Sequence, residues 1–406
     1  MTKVLVADQF EKVGVDGLQE LGCTVVQQPD VKADDLPAAV RQGNPDVLLV
    51  RSKKVSGEAL RAGAGLSLVI RAGAGVDNID VATASSLGIF VANCPGKNSI
   101  AVAELVIGLL LACDRRIPDQ VVDLRRGQWN KAEYSKARGL HGRVLGIVGL
   151  GEIGREVATR AKALGMSVVA WSRKLTREEA DRLGIGYCQT PIDVARVSDA
   201  VSINVAGTPE TKHLVDAAFL GALKAGAYLV NTSRGSVVDQ AALAEAVVKK
   251  GIRCGLDVFA DEPAGGSGEF RTAILQQQGV YGTHHVGAST DQAQVAIAHE
   301  VIRIVQGYLE TQDVRNCVNR LARSPATSML SVRHRNRPGV LAHVFKVLAE
   351  RSINVEEVEN IIYHGAQATL ARVHLDTKPD QEALDMIKDG NPDIISVALT
   401  PIEGAL

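Results

Sequence analysis

Residues 143–174 read RVLGIVGLGEIGREVATRAKALGMSVVAWSRK, and this stretch decides the fold class. A short β-branched run, VLGIVGL, leads into Gly149-Leu150-Gly151-Glu152-Ile153-Gly154, and a helical pattern follows. G-x-G-x-x-G between a strand and a helix is a turn that cradles a pyrophosphate. Two glycines let the backbone turn tightly and approach the phosphates; the third lets the helix pack on the strand. The first N–H groups of the helix, at Glu152 and Ile153, and its positive dipole end favour an anion. The second strand runs out through Trp171-Ser172-Arg173-Lys174. An acid usually stands about where Ser172 is, accepting from a ribose 2′-hydroxyl and repelling a 2′-phosphate. Ser172 with Arg173 suits a 2′-phosphate instead. The alternative is that Arg173 and Lys174 are solvated surface charges, so NAD and NADP both stay open.

Outward from this unit, strand-like runs alternate with helical stretches on both sides. KVLVAD, GCTVVQQ, PDVLLVRS, LSLVIRAGAGVDNID and GIFVANCPG precede it; DAVSINV, AYLVNTSRG, RCGLDVF and GVYGTHHVG follow. Alternation of this kind predicts α/β architecture with parallel sheets. Between the two series, NSIAVAELVIGLLLACDRRIPDQVVDLRRGQW reads as one long helical region whose apolar first part is buried between domains or subunits. From Thr327 the order becomes strand, helix, strand, strand, helix, strand, a βαββαβ ferredoxin-like module.

Composition excludes several classes. The chain has 406 residues, 46% apolar and 22% charged, with a formal net charge of -1. That length holds two or three domains, and the charge balance gives no case for nucleic acid or an anionic membrane. The six cysteines lack C-x-x-C spacing, so neither a disulfide framework nor a metal site is indicated. Ile100 to Cys113 is too short to span a bilayer and carries Glu104. MTKVLVADQF reads as a strand, not a secretory leader. The expectation is a soluble, cytoplasmic protein without a metal.

Polar residues follow three successive strands: Arg234 after AYLVN, Asp257 and Glu262 after RCGL, His284 and His285 after GVYG. The carboxyl ends of strands line the ligand crevice of an open α/β sheet. An Arg there forks a carboxylate. A His paired with a Glu, which raises the imidazole pKa toward working pH, can take a hydroxyl proton as a hydride leaves for a nicotinamide. Neighbouring strand residues point to opposite faces, so the adjacent histidines cannot both serve one site.

RAGAGVDNID, GKNSIAVAE, GLGEIGREVA, VNTSRGSVVDQAAL, GLDVFADEPA and HVGASTDQAQ together resemble the signature blocks of the D-isomer-specific 2-hydroxyacid dehydrogenases. The resemblance covers essentially the whole chain. It implies a Rossmann-type nucleotide-binding domain (99–285) inserted in a flavodoxin-like substrate domain (1–98 and 286–316), a linker (317–326) and a C-terminal module (327–406) similar to ACT regulatory domains. It implies Arg234 as the substrate-carboxylate arginine, Glu262 as the histidine's partner and His285 as the acid/base. Asp257 is similar to the residue that holds a nicotinamide carboxamide, and Thr232, Ser233, Gly287 and Ala288 fall in cofactor-lining blocks. Arg51, Ser52, Arg71, Gly73 and Asn98 fall in substrate-side blocks, and such basic residues suit a phosphorylated acid; Arg51 and Arg71 could equally be surface or structural charges. Four positions depart from the pattern: Ser172 for an Asp, Asn204 and Ala206 for a His and a Pro, and His284 for a Pro.

In the module, His334, Asn336 and Asn354 resemble positions that bind serine in regulated family members. The implied reaction is oxidation of 3-phospho-D-glycerate to 3-phosphooxypyruvate with NAD or NADP, the first step toward L-serine, in a homo-oligomer (dimer or tetramer) inhibited by L-serine. Two rivals are an NADP-dependent glyoxylate/hydroxypyruvate reductase and a non-catalytic dinucleotide sensor.

Overall fold

The computed structural model describes residues 1–263 and 268–402; Ala264 of the GLDVFADEPA block and the last four residues of the module lie outside them. The chain divides into two compact units, Met1–Asn319 and Arg320–Leu406.

The first unit holds two parallel sheets. β1 (Lys3–Val6), β2 (Thr24–Gln27), β3 (Val47–Val50), β4 (Leu68–Arg71) and β5 (Phe90–Asn93) form one, in the order β2-β1-β3-β4-β5, the flavodoxin-like arrangement. All four residues of β3 are buried, as expected where helices cover both faces. One cover comes from far along the chain. Helix Asp291–Thr311 lays Ile297, Val301, Ile304 and Val305 against Val4, Val6, Leu49 and Ile70.

The second sheet comprises β6 (Val144–Val148), β7 (Ser167–Trp171), β8 (Gly186–Tyr187), β9 (Ala200–Ile203), β10 (Tyr228–Asn231), β11 (Arg253–Leu256) and β12 (Val280–Gly282). Its order is β12-β11-β10-β9-β6-β7-β8. The direction of winding reverses between β6 and β9, so the crevice beyond their carboxyl ends is the topological switch point where ligands bind in such sheets. The glycine turn leaves β6 at this point.

Two sequence expectations change. The long helical region is two helices, Ser99–Arg115 and Ile117–Arg125. Arg116 between them is left-handed, φ 55°, and Pro118 lacks the N–H a continuous helix would need. Residues 317–319, read as the start of a linker, pair with the edge of the first sheet. Cys317 bridges Ala92, Val318 N–H donates to the Val91 carbonyl at 2.8 Å, and Asn319 Oδ1 accepts from Val91 N–H at 2.9 Å. The open edge of β5 supplies backbone partners that sequence does not reveal.

The second unit is a four-stranded antiparallel sheet of β13 (Ser328–Arg335), β14 (Val355–Ile362), β15 (Ala368–Leu375) and β16 (Ile394–Pro401), in the order β14-β15-β13-β16. Helices Val340–Glu350 and Gln381–Asp389 bury Val344, Leu348 and Ile387 against Leu330, Val332, Ala371 and Val373. Among the described residues no helix is long and apolar enough to cross a membrane.

Candidate active site

β12 ends at Gly282, so the two histidines sit in a loop and the strand alternation expected to separate them does not apply. The backbone separates them instead. His285 is left-handed, φ 52°, a region costly for a residue with a Cβ. Asp257 holds it there. The Asp257 carbonyl accepts the His285 N–H at 2.8 Å. Its carboxylate, 1% exposed, accepts Thr283 Oγ1 at 2.6 Å and the N–H groups of Val286 and Gly287 at 2.9 Å each. His285 Nδ1 then meets Glu262 Oε2 at 2.7 Å, and Glu262 Oε1 accepts Phe259 N–H at 2.7 Å. A carboxylate on Nδ1 leaves Nε2 as the nitrogen that can exchange a proton. Burial pushes the Glu262 carboxyl up, but hydrogen bonds from His285 and Phe259 and the charges of His285 and Arg234 hold it below its ordinary value. His284 is exposed and stands outside this network.

Arg234 leaves β10 through a turn organised by Asn231, itself 1% exposed. Asn231 Oδ1 accepts the Ser233 N–H and Oγ at 3.0 and 2.8 Å, and its Nδ2 donates to the Arg234 carbonyl at 3.0 Å. Thr232 and Ser233 are buried in this turn. A Cβ on Gly235 would come within 2.0 Å of the Phe259 backbone, so the Arg234 turn packs directly on the segment that leads to Glu262.

Two further guanidinium groups approach from the first sheet. Arg71 Nε donates to the Arg51 carbonyl at 2.9 Å, and Arg51 Nη2 reaches Ser289 Oγ at 3.3 Å, just past the histidine loop. Asp8 Oδ2 fixes that corner by accepting the N–H groups of Arg51, Ser52 and Lys53 at 2.7, 3.1 and 3.0 Å. A Cβ on Gly73 would lie 1.7 Å from Arg71 Nη1; the missing side chain makes room for the guanidinium. A Cβ on Gly75 would lie 2.3 Å from Arg234 Nη2, so the Arg71 and Arg234 guanidinium groups flank one short segment; burial, then the charge of Arg234, lowers Arg71 below the ordinary arginine value. Asn98 precedes helix Ser99–Arg115, and its Oδ1 is buried without a partner. A buried acceptor left unpaired is costly unless a ligand donates to it.

The glycines at the head of the second sheet divide their roles. Gly149 has φ 99°, and a Cβ there would meet the Asn204 backbone at 2.8 Å; a Cβ on Gly154 would meet the Gly149 carbonyl oxygen at 2.3 Å. Both are demanded by the turn and by helix packing. Around Gly151 nothing lies within 4 Å of the added atom, so its backbone is open to a ligand at the start of helix Glu152–Ala163. The cradle fits a pyrophosphate. Ser172 and exposed Arg173 follow β7. A hydrogen bond from Thr208, with a smaller contribution from the charge of Arg173, lowers the Glu210 carboxyl in the loop after β9. Asn204 turns its amide onto Ser202 Oγ at 3.1 Å, the Ala206 carbonyl accepts Thr211 Oγ1 at 2.7 Å, and the Ala288 carbonyl accepts Gln294 Nε2 at 2.8 Å.

The family model for the D-isomer specific 2-hydroxyacid dehydrogenase NAD binding domain matches residues 107–287. A hydroxypyruvate reductase of Thermotoga maritima is 38% identical over 302 residues, 74% of this chain and 96% of that protein. The chain belongs to the D-isomer specific 2-hydroxyacid dehydrogenase family. A D-3-phosphoglycerate dehydrogenase of Methanocaldococcus jannaschii is 36% identical over 321 residues, 79% of this chain. The chain spans only 60% of that relative's length, and 56% of the Synechocystis relative of the same name. Among solved structures, an NADPH-dependent glyoxylate/hydroxypyruvate reductase from Sinorhizobium meliloti in complex with NADP and malonate is 30% identical. It superimposes with a TM-score of 0.67 over 78% of this chain and 96% of that one. A model of the AHAS small subunit-like ACT domain matches residues 330–390, so the second unit is an ACT domain, a fold associated with amino-acid effectors.

Within this family frame, Arg234, Glu262, His285, Arg51 and Arg71 converge, whereas the three effector positions do not. His334 is not a loop residue; it ends β13 facing inward, 3% exposed, with Nε2 at 2.8 Å from Thr369 Oγ1 and Nδ1 at 2.8 Å from the Arg335 carbonyl. Strand alternation turns its ring into the module. Asn336 Nδ2 donates to the Ala366 carbonyl at 3.1 Å beside it. Asn354 Nδ2 is bound to Glu356 Oε1 at 2.7 Å, and its neighbour Val355 pairs with Leu375, which also faces Ser328 at the opposite end of β13. Six residues of strand put these ends roughly 20 Å apart. Sequence reasoning missed Asp8, Asp77 and Asn231, and it gave Asp257 no part in shaping the histidine loop. Asp8 and Asp77 act on partners 43 to 157 residues away, which no local pattern announces, whereas Asn231 acts on Ser233 and Arg234 just beyond it and stood unassigned inside VNTSRG.

Proposed function

We propose that this chain is a D-3-phosphoglycerate dehydrogenase, oxidising 3-phospho-D-glycerate to 3-phosphooxypyruvate in the cytoplasm as the first step toward L-serine. The observation that carries it is the gathering of Arg51, Arg71 and Arg234 beside the Glu262–His285 pair. One guanidinium suffices for a carboxylate; two more match a second anionic group on the same small acid. In this reading Arg234 holds the carboxylate, Asn98 lines the substrate side, and His285 Nε2 takes the C2 hydroxyl proton. Glu262 orients the ring and stabilises the imidazolium. Gly149, Gly151, Glu152, Ile153 and Gly154 would hold the dinucleotide pyrophosphate. Thr232, Ser233, Gly287 and Ala288 would line the rest, and the lone-pair capacity left on Asp257 would meet the carboxamide. The bound nicotinamide supplies the hydride acceptor.

The second reading is an NADP-dependent hydroxypyruvate reductase, favoured by Ser172-Arg173 and by the full-length Thermotoga relative. Helix Ile117–Arg125 buries none of its residues and exposes Ile117, Val121, Val122 and Leu124, an apolar face that supports a homo-oligomer. A serine site built from His334, Asn336 and Asn354 needs two modules, since one module holds these residues at opposite ends. Steady-state assays of both reaction directions with NAD(H) and NADP(H), with and without L-serine, decide among these readings. The dehydrogenase reading predicts that 3-phosphoglycerate is oxidised and that serine slows it. Turnover confined to hydroxypyruvate or glyoxylate refutes it.

A further inference from the structure

Arg234 is held on three sides. Its Nε and Nη2 both donate to a single oxygen, Asp77 Oδ2, at 2.8 and 2.7 Å, and its Nη1 donates to the Ser233 carbonyl at 2.7 Å. Glycines flank it: a Cβ on Gly75 would sit 2.3 Å from Nη2, and one on Gly207 would sit 2.7 Å from Cγ. Neither glycine has a positive φ, so both are small because the arginine fills the space, not because the backbone demands it.

A guanidinium has five N–H bonds. Asp77 takes two and Ser233 one, which leaves two, one on each terminal nitrogen. We propose that Asp77 is a positioning residue that occupies the side edge of Arg234 and so presents the terminal nitrogens to the substrate carboxylate. Resting on the proposed dehydrogenase function, this assigns Asp77 to substrate affinity and orientation, not to proton transfer. The opposite outcome is physically definite. If Asp77 stands where the substrate must bind, it competes for Arg234, and its removal tightens binding. Charge alone also favours tightening, because Arg71 and Arg234 lose a nearby counter-ion. Two facts set the sign the other way. Asp77 is 57% exposed, so its field is strongly screened. Its loss also frees a long side chain to swing, and the orientation of a fork is what a carboxylate reads.

The test uses Asp77→Asn, Asp77→Glu and Gly75→Ala in the full chain. Oxalate is titrated onto each protein loaded with NADH by calorimetry, alongside KM and kcat for the 2-hydroxy acid that the wild type oxidises. The expected result is a Kd for oxalate, and a KM, raised roughly tenfold or more in Asp77→Asn. NADH affinity stays unchanged, kcat falls less than KM rises, and Asp77→Glu recovers part of the loss. Gly75→Ala, which leaves every charge in place, weakens oxalate in the same direction. An unchanged or lowered oxalate Kd in Asp77→Asn overturns the proposal. The oxalate titration reads the Arg234 edge without turnover, so a wild type that fails to oxidise 3-phosphoglycerate refutes the proposed substrate and leaves the Asp77 result standing on its own.

Discussion

Asp257→Asn is a one-atom exchange that tests whether the histidine loop is held by a carboxylate. All the groups facing this side chain are donors: Thr283 Oγ1, Val286 N–H and Gly287 N–H. An ionised carboxylate accepts on both oxygens; an amide accepts on one and donates from the other. With the amide oxygen in the Oδ1 place, the bonds to Thr283 and Val286 survive as neutral ones, and the NH2 faces the Gly287 N–H. One hydrogen bond to a charged group, worth about 1.5–3 kcal/mol, is lost, two are weakened, and two donors face each other in a site 1% exposed. A total of about 3 kcal/mol is comparable with the roughly 1–3 kcal/mol stored in a left-handed, non-glycine residue. The loop therefore relaxes, His285 leaves its 2.7 Å contact with Glu262, and kcat falls about a hundredfold. Steady-state rates at saturating cofactor, with NADH affinity from fluorescence quenching, give the measurement. Thr283→Val removes one of the three bonds and should cost a fraction of that loss. Full kcat at saturating cofactor, with only NADH affinity reduced, would mean that Asp257 serves the carboxamide alone and would refute the loop argument.

Four further outcomes are expected. His285→Ala abolishes hydride transfer in single-turnover mixing while NADH still binds, and His284→Ala changes neither; equal losses would break the assignment. The Glu262 carboxyl is held below its ordinary value, so the stability it contributes is fully present above the unfolded glutamate pKa of about 4.3 and fades as pH falls through the lower folded value. The gap in Tm between wild type and Glu262→Gln should therefore be present at pH 5 and close in stronger acid. Gly151→Ala should keep Tm and weaken dinucleotide binding, whereas Gly154→Ala, which drives a Cβ to 2.3 Å from a carbonyl oxygen, should lower Tm by several degrees in calorimetry. Arg173→Ala should weaken NADP more than NAD; equal effects would reduce Arg173 to a surface charge.

The fold was legible because its signals are local. Strand and helix periodicity, the glycine spacing of 149–154 and the change of pattern after Thr327 lie within single windows of sequence, and each reports on one supersecondary unit. The same locality explains what was misread. Nothing nearby announces that 317–319 will pair with β5, because the partner edge is more than two hundred residues earlier. The inward turn of His334 depends on strand register, and the break at Arg116 was masked by a long apolar run.

For the site, sequence by itself determined which chemistry could be assembled: an arginine, a glutamate and a histidine each placed after a strand of one sheet. Parallel strands deliver their carboxyl ends to one crevice, so order along the chain becomes proximity in space. Tertiary structure alone decided how those groups are aimed. The left-handed backbone of His285 is sustained by a carboxylate 28 residues away, and Arg234 is held by an aspartate 157 residues away, in the turn that follows β4 of the other sheet. Hydrogen-bond direction and excluded volume act across space without regard to sequence distance, and no periodicity records them.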